Sequence, residues 1–191
     1  MKVLFTICGR GDSKSVKNKN IRLFLGAPLI RYSLVDAFLA FNDNKAIEKH
    51  ILVDSDSDDI LNTAKAFLPY IYVHKREQCF AGDKVAKNQA IAAALADYEK
   101  ERGQVDCVID LDITSPLRTL NDIERTFQIY AQGQNDVVYT VVEARRNPYF
   151  NMVERIDGHT QLCKPSNYTC RQDAPAVYEM NASIYAYKTQ M

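Results

Sequence analysis

Over the first 142 residues, short apolar runs alternate with stretches whose apolar positions recur at helical spacing. Residues 3–8 (Val-Leu-Phe-Thr-Ile-Cys) form an apolar, β-rich run that stops at Gly9, which predicts a buried strand. Pro28 suits a helix start, and Leu29, Ile30, Ser33, Leu34, Ala37, Phe38 and Phe41 continue it as a stripe closed by Asn42-Asp43-Asn44. Ile51-Leu52-Val53 predicts a second strand, and Ile60, Ala64 and Phe67 the helix after it. Tyr70–Val73 is a third strand, about 85–102 a long helix, and Val105–Leu111 a fourth strand. The next helix has Thr119 or Asn121 as its cap, Asp122 and Glu124 in its first turn, and its end near Gly133. Asp136–Val142 reads as another buried strand.

After Asn147-Pro148 the pattern changes. Residues 150–156 and 159–163 flank Asp157-Gly158 as a hairpin, a polar stretch covers 165–175, and Ser183–Tyr187 is a last strand. Strand–helix alternation predicts an α/β fold with a mostly parallel sheet and helices on both faces. Ligands of such sheets bind beyond the carboxyl ends of the strands. The loops at 9–20, 54–57, 75–84 and 112–118 therefore converge on one rim.

The chain of 191 residues is long enough for one well-buried domain. Its 24 cationic and 24 acidic residues balance, which argues against broad nucleic-acid binding. No apolar run has the length of a membrane span, and the N-terminus resembles neither a signal nor a transit peptide. The five cysteines are odd in number and lack a C-x-x-C pair, so they read as reduced thiols of a cytoplasmic protein. The three histidines lack metal-ligand spacing, which argues against zinc.

Against that neutral background the first loop stands out. Arg10, Lys14, Lys17, Lys19 and Arg22 surround a single acid, Asp12, and Gly9, Gly11, Ser13 and Ser15 are interleaved. Small residues let backbone N–H groups approach an anion, and the cations supply charge-assisted hydrogen bonds, so a polyphosphate fits. The plain alternative is a solvated basic loop. Neither the P-loop string nor the dinucleotide glycine fingerprint is present. The acids of 54–59 divide in the same way: Ser57, Asp58 and Asp59 read as helix capping and dipole charge, while Asp56 stays open.

Seven ordered segments together resemble the acylneuraminate cytidylyltransferases, which are CMP-sialic acid synthetases. The family's Arg-x-x-Ser-Lys-Gly, followed after three positions by Lys-Asn, matches at Arg10, Ser13, Lys14, Lys19 and Asn20, with Ser15 in place of glycine. Gly26–Leu29, Asp54-Ser55-Asp56, Arg76 to Asp83, Asp112–Arg118, Asn147–Tyr149 and Arg171–Pro175 with Asn181 and Tyr185 match further segments. Lys84 and Lys87 replace residues that are small or hydroxylated in the family.

The resemblance implies a three-layer Rossmann-like nucleotidyltransferase fold with a small β-hairpin excursion. It implies transfer of CMP from CTP to a 2-keto sugar acid of sialic or legionaminic type, with Mg2+ as cofactor. Arg10, Gly11, Ser13, Lys14, Lys19, Asn20, Arg76, Gly82 and Asp83 are the implied nucleotide ligands. Asp112, Thr114, Ser115, Arg171, Gln172, Asn181 and Tyr185 are the implied sugar ligands, and Arg10, Lys19 and Asp112 the catalytic set.

Asp112 stands where the family has glutamine and forms Asp-x-Asp with Asp110. It is read as a magnesium ligand or an orienter of the acceptor hydroxyl, against a plain role capping Thr114 or Ser115. The family's C-terminal Asp-x-Asp segment is absent from the 191 residues. A homodimer through the hairpin at 149–170 is expected, with neither nucleic acid nor membrane as partner. Two other readings stand beside this one: another nucleotide-sugar transferase on the same fold, and a nucleotide-binding module without chemistry.

Overall fold

The computed structural model describes residues 1–12, 16–82 and 85–189. The chain divides into two compact units, Met1–Tyr139 with Ala182–Met191, and Thr140–Asn181.

In the first unit β1 (Lys2–Cys8) opens a loop that ends in a 3-10 turn, Lys19–Ile21. A two-residue ladder, β2 (Leu23–Phe24) and β3 (Ala27–Pro28), leads into α1 (Leu29–Leu39). There follow β4 (Glu48–Ser55), α2 (Asp58–Phe67), β5 (Tyr72–Lys75), α3 (Lys87–Arg102), β6 (Cys107–Leu111) and α4 (Leu120–Ala131). The sheet is completed by β7 (Val137–Glu143) and, after a hairpin of β8 (Val153–Ile156) and β9 (His159–Leu162), by β10 (Tyr178–Lys188).

Strand order is β5-β4-β1-β6-β10-β7. β1 lies between β4 and β6, parallel to both, and β5 is parallel to β4. β10 runs antiparallel to β6, so the sheet is mostly parallel. Alternation along β1 sends Val3, Phe5 and Ile7 to one face, packed with α1, α2 and α4 through Ile30, Leu34, Ile60, Ala64, Ile123 and Phe127. Leu4 faces the other way, onto α3 through Ile91, Ala94 and Tyr98. This is the expected three-layer arrangement. A central strand covered on both faces must be apolar almost throughout, which is why residues 3–8 show no polar alternation.

The helix ends follow their sequence signals in most places. Thr119 caps α4 in a reciprocal box: its hydroxyl accepts from the Asp122 N–H at 3.2 Å, and the Asp122 carboxylate accepts from the Thr119 N–H at 2.9 Å. Asp58 and Asp59 occupy the first turn of α2, where the helix dipole favours them, but the Ser57 side chain makes no cap bond. Several strands differ from expectation: β4 runs Glu48–Ser55 rather than 51–53, and β5 runs Tyr72–Lys75 rather than 70–73. β7 is exposed or half-exposed along its length rather than buried, because it takes the edge position of the sheet. β10 begins at Tyr178, five residues before the predicted start, since ladder pairing extends it past its apolar core.

In the second unit the β8–β9 hairpin turns at Asp157-Gly158, both at positive φ. Buried Asn147 ties the unit together: its amide donates to the Pro175 carbonyl at 3.0 Å, and its side-chain oxygen accepts from the Tyr149 N–H at 2.9 Å. Arg171 and Gln172 lie in a 3-10 turn, and Asn181 accepts from the Thr140 hydroxyl at 2.7 Å.

Candidate active site

At the carboxyl ends of β1, β5 and β6, the first unit holds a cavity of about 440 Å³. Arg10, Lys19, Asn20, Arg76, Lys87, Asp112 and Thr114 are among its lining residues. Loops far apart in sequence thus meet as strand topology required.

Neighbouring groups fix most of this lining. The Gly9 N–H donates to the Asp54 carbonyl at 2.9 Å, which prolongs the β1–β4 ladder by one residue. The Gly11 N–H donates to Asp56 Oδ1 at 2.8 Å, so the open question over Asp56 resolves to an anchor of the basic loop. A Cβ on Gly11 would lie 2.7 Å from the Ser57 Cβ, and one on Gly9 2.8 Å from Ile113 Cδ1; both glycines are there for close approach. Buried Asn20 donates from its amide to the Arg10 carbonyl at 2.9 Å and closes the loop's return.

Arg76 rests on fully buried Asp54, with Nε donating to Oδ2 at 2.8 Å and Nη2 bonding to the same oxygen. His74 approaches the other Asp54 oxygen from Nδ1 at 2.8 Å and Asp97 from Nε2 at 3.2 Å. The bond to Asp54, with that to Asp97, raises the His74 pKa against the opposing effect of burial. Asp54 also outweighs burial at Arg76 and keeps the guanidinium charged.

The floor is Asp110 and Asp112 with Lys87, the first residue of α3. Asp110 is completely buried; Oδ1 accepts from the Thr6 hydroxyl at 3.1 Å, and Oδ2 lies 2.6 Å from Lys87 Nζ. The same ammonium is 3.2 Å from Asp112 Oδ2. Asp112 Oδ1 accepts from both the N–H (2.8 Å) and the hydroxyl (2.6 Å) of Thr114, so the plain capping role is real and occupies one oxygen. Burial pushes the Asp110 carboxyl up. At Asp112 burial is outweighed by Lys87 and Thr114, which hold its carboxyl below the usual range.

The Asp112 backbone is fixed too. Its carbonyl accepts from the Ser33 hydroxyl at 3.2 Å and from Arg118 Nη2, and its N–H donates to the Ser183 carbonyl at 3.1 Å. Arg118 Nε also bonds the Ser115 carbonyl at 3.1 Å. Cys8 lines the cavity, but burial drives its thiol pKa well up, so it is no nucleophile at neutral pH.

Of the expected site residues, Arg10, Lys19, Asn20, Arg76, Asp112 and Thr114 line this cavity. Gly11 is bonded beside it. Gly82, Ser115 and Tyr185 are not lining residues; Tyr185 stacks between Tyr139 and Tyr187, each 5.9 Å away by ring centroids. Ser13, Lys14 and Asp83 lie outside the described residues. Arg171, Gln172 and Asn181 belong to the second unit. Sequence reasoning missed the supports: Asp54 under Arg76, and Lys87 between two carboxylates. Lys87 carried one available signal, a cation at a helix N-terminus against the dipole.

Among the described residues no group of three or more Asp, Glu, His or Cys is disposed to hold a metal. At the end of β6 the donors are the carboxylates of Asp110 and Asp112, both faced by Lys87, and Asp12 of the basic loop also lines the cavity. This fits Mg2+ only in its usual nucleotide-site mode, with a carboxylate beside substrate phosphate oxygens; of the Asp110–Asp112 pair, Asp112 lines the cavity.

A mostly parallel sheet with a cation-lined cavity at its carboxyl rim is an α/β architecture suited to a nucleotide. The family model described as cytidylyltransferase matches residues 4–191, and the chain belongs to that family. It is 43% identical over 187 residues to post-translational flagellin modification protein B of Campylobacter coli, covering 97% of this chain and 77% of that one. It is 40% identical, with the same coverage, to the CMP-N,N'-diacetyllegionaminic acid synthase of Campylobacter jejuni subsp. jejuni. Among solved structures, a CMP:2-keto-3-deoxy-manno-octonic acid synthetase complexed with CTP superposes with a TM-score of 0.69 at 15% identity. It covers 99% of this chain and 75% of that one, and at this identity shows a shared fold.

Proposed function

We propose that this cytidylyltransferase transfers CMP from CTP to the anomeric hydroxyl of a nine-carbon 2-keto sugar acid of the legionaminic or sialic type. The carrying observation is the convergence of Arg10, Lys19, Arg76 and Lys87 on one cavity at the strand carboxyl ends. The name of the Campylobacter jejuni relative supports the acceptor class.

In the reaction the anomeric oxygen attacks the α-phosphorus in line. The bond from that phosphorus to the oxygen bridging to the β-phosphate breaks, pyrophosphate leaves with the electron pair, and the hydroxyl proton is released. Charge grows on the leaving pyrophosphate, so fixed cations and backbone donors lower the barrier. Arg10 and Lys19 serve that end, with the loop held by Asp56 and Asn20. Arg76, oriented by Asp54, reaches the nucleoside side. Mg2+ supplies charge neutralisation on the phosphates when bound; Asp112 is the chain's carboxylate for it. Thr114 holds Asp112 in place through two hydrogen bonds. Arg171 is assigned to the sugar carboxylate, which suits a planar guanidinium; R171K raising the KM for the sugar acid and leaving that for CTP tests it.

The protein is further proposed to work in the cytoplasm, which its five unpaired cysteines suit. Among the described residues no helix is long and apolar enough to cross a membrane. A homodimer through residues 149–170 is supported by exposed Phe150, Met152, Val153 and Ile156; light scattering showing a monomer at high concentration removes it.

Pyrophosphate release is measured with CTP, ATP, GTP or UTP and Mg2+, across legionaminic, pseudaminic, sialic and eight-carbon Kdo acids. Release with CTP and a nine-carbon acid is the expected result. Release with another nucleotide, or with Kdo alone, overturns the substrate assignment. CTP binding without release under any combination overturns catalysis.

A further inference from the structure

We infer that Lys87 is the resident cation of the Asp110–Asp112 pair: in the nucleotide-free protein its ammonium excludes divalent metal from the two carboxylates. Metal therefore enters this cavity with the nucleotide.

The placement of Lys87 calls for an explanation. It is the first residue of α3, and no acidic residue stands in that helix's first turn. The helix dipole there opposes a cation. Its ammonium instead sits 2.6 Å from Asp110 Oδ2 and 3.2 Å from Asp112 Oδ2. Asp110 Oδ2 is fully buried, and the cation that meets it is Lys87, at 2.6 Å. A buried carboxylate is tolerated only beside an opposite charge. Two carboxylates at successive same-face positions of a strand end form a natural start for a hard-cation site. Here the space they share already contains a positive charge attached to the chain.

A dication approaching both oxygens meets that ammonium at contact distance. The repulsion is felt at contact distance even though Lys87 is partly exposed, and the ammonium cannot swing into solvent without stripping Asp110 of its counter-ion. Phosphate oxygens change the balance. They supply most of a magnesium shell themselves and need only one protein carboxylate, which Asp112 offers from the cavity wall. Two carboxylates and one ammonium leave the floor with one net negative charge rather than two. That eases entry of a polyanion past the pair.

The test uses Mn2+ as the probe metal and the full chain without nucleotide or sugar acid, with free Mn2+ followed by electron paramagnetic resonance. Wild type is expected to show no saturable binding. K87M, which keeps the bulk and removes the charge, is expected to bind one Mn2+ at least about tenfold more tightly than wild type. K87M/D112N is expected to lose that binding. K87Q serves in the same way should K87M fail to give a cooperative melt, since its amide still donates to Asp110. A folded variant with wild-type Mn2+ affinity overturns the inference, as does saturable binding to wild type that D112N abolishes. No substrate enters the measurement, so its failure leaves CMP transfer untouched, and failure of CMP transfer leaves it untouched in turn.

Discussion

Gly11→Ala should loosen the basic loop through one steric contact that a second substitution relieves. The new Cβ falls 2.7 Å from the Ser57 Cβ, where ordinary contact begins at 3.4 Å. The loop or the start of α2 must therefore retreat by roughly 0.7 Å. That is enough to stretch the 2.8 Å bond from the Gly11 N–H to Asp56 beyond hydrogen-bonding range. Arg10 is the next residue, and its guanidinium moves with the anchor. Losing one aligned charge-assisted hydrogen bond to the phosphates, worth about 1.5–3 kcal/mol, corresponds to roughly 10- to 100-fold in CTP affinity. Global stability falls by at most about 2–3 kcal/mol: overpacking costs about 1–3 kcal/mol, partly offset by about 0.4–1 kcal/mol from a stiffer unfolded chain.

Ser57→Gly removes the clashing atom. The methyl carbon added at position 11 then faces the Cα of residue 57 at 3.6 Å, an ordinary contact. Ser57 is the N-cap of α2 and makes no cap bond, so glycine there should cost only a few tenths of a kcal/mol. Calorimetric CTP titration of G11A, S57G and the double variant is the assay. Affinity should fall in G11A, hold in S57G and largely return in the double variant. G11A binding within twofold of wild type refutes the steric account, and so does a double variant as weak as G11A.

Three further outcomes are expected. Asp54→Ala strands Arg76 and His74 without their buried partner and should cost about 3–5 kcal/mol; the urea midpoint falls with m unchanged, and a loss under about 1 kcal/mol contradicts it. Thr119→Ala removes the capping box of α4 and should cost about 0.5–2 kcal/mol in the same assay, with CTP affinity unchanged. Burial raises the Asp36 carboxyl to about 6 despite Arg118. Between its unfolded value of 3.8 and 6 the native state therefore holds the extra proton. Its contribution is full at the acid end and fades as pH rises through 6. Asp36→Asn should flatten that part of the stability–pH curve, and an unchanged slope rejects the assignment.

Most of the architecture is legible along the chain. The apolar run at 3–8, the helical stripes and the Thr119–Asp122 box predict β1, α1 to α4 and their order. Parallel β-α-β linkage then forces the loops after β1, β5 and β6 to one rim, so Arg10, Lys19, Arg76 and Asp112 are read as neighbours from the sequence alone. Local signals suffice because strand period, helix period and capping act over a few residues.

Charge pairing across that rim was decided only by the tertiary structure. Asp56 meets the Gly11 N–H across 45 positions, and Lys87 meets Asp112 across 25. Nothing local distinguishes Asp56 from the aspartates beside it, and the position of Lys87 against the helix dipole marks it as unusual without naming its partner. Edge placement, not composition, leaves β7 exposed, although its apolar content resembles that of buried β6. The difference is physical. Hydrophobic patterning reports which face a residue presents, whereas a buried charge is defined by the partner that the fold brings into contact with it. That partner is set by strand order, and strand order is a property of the whole sheet.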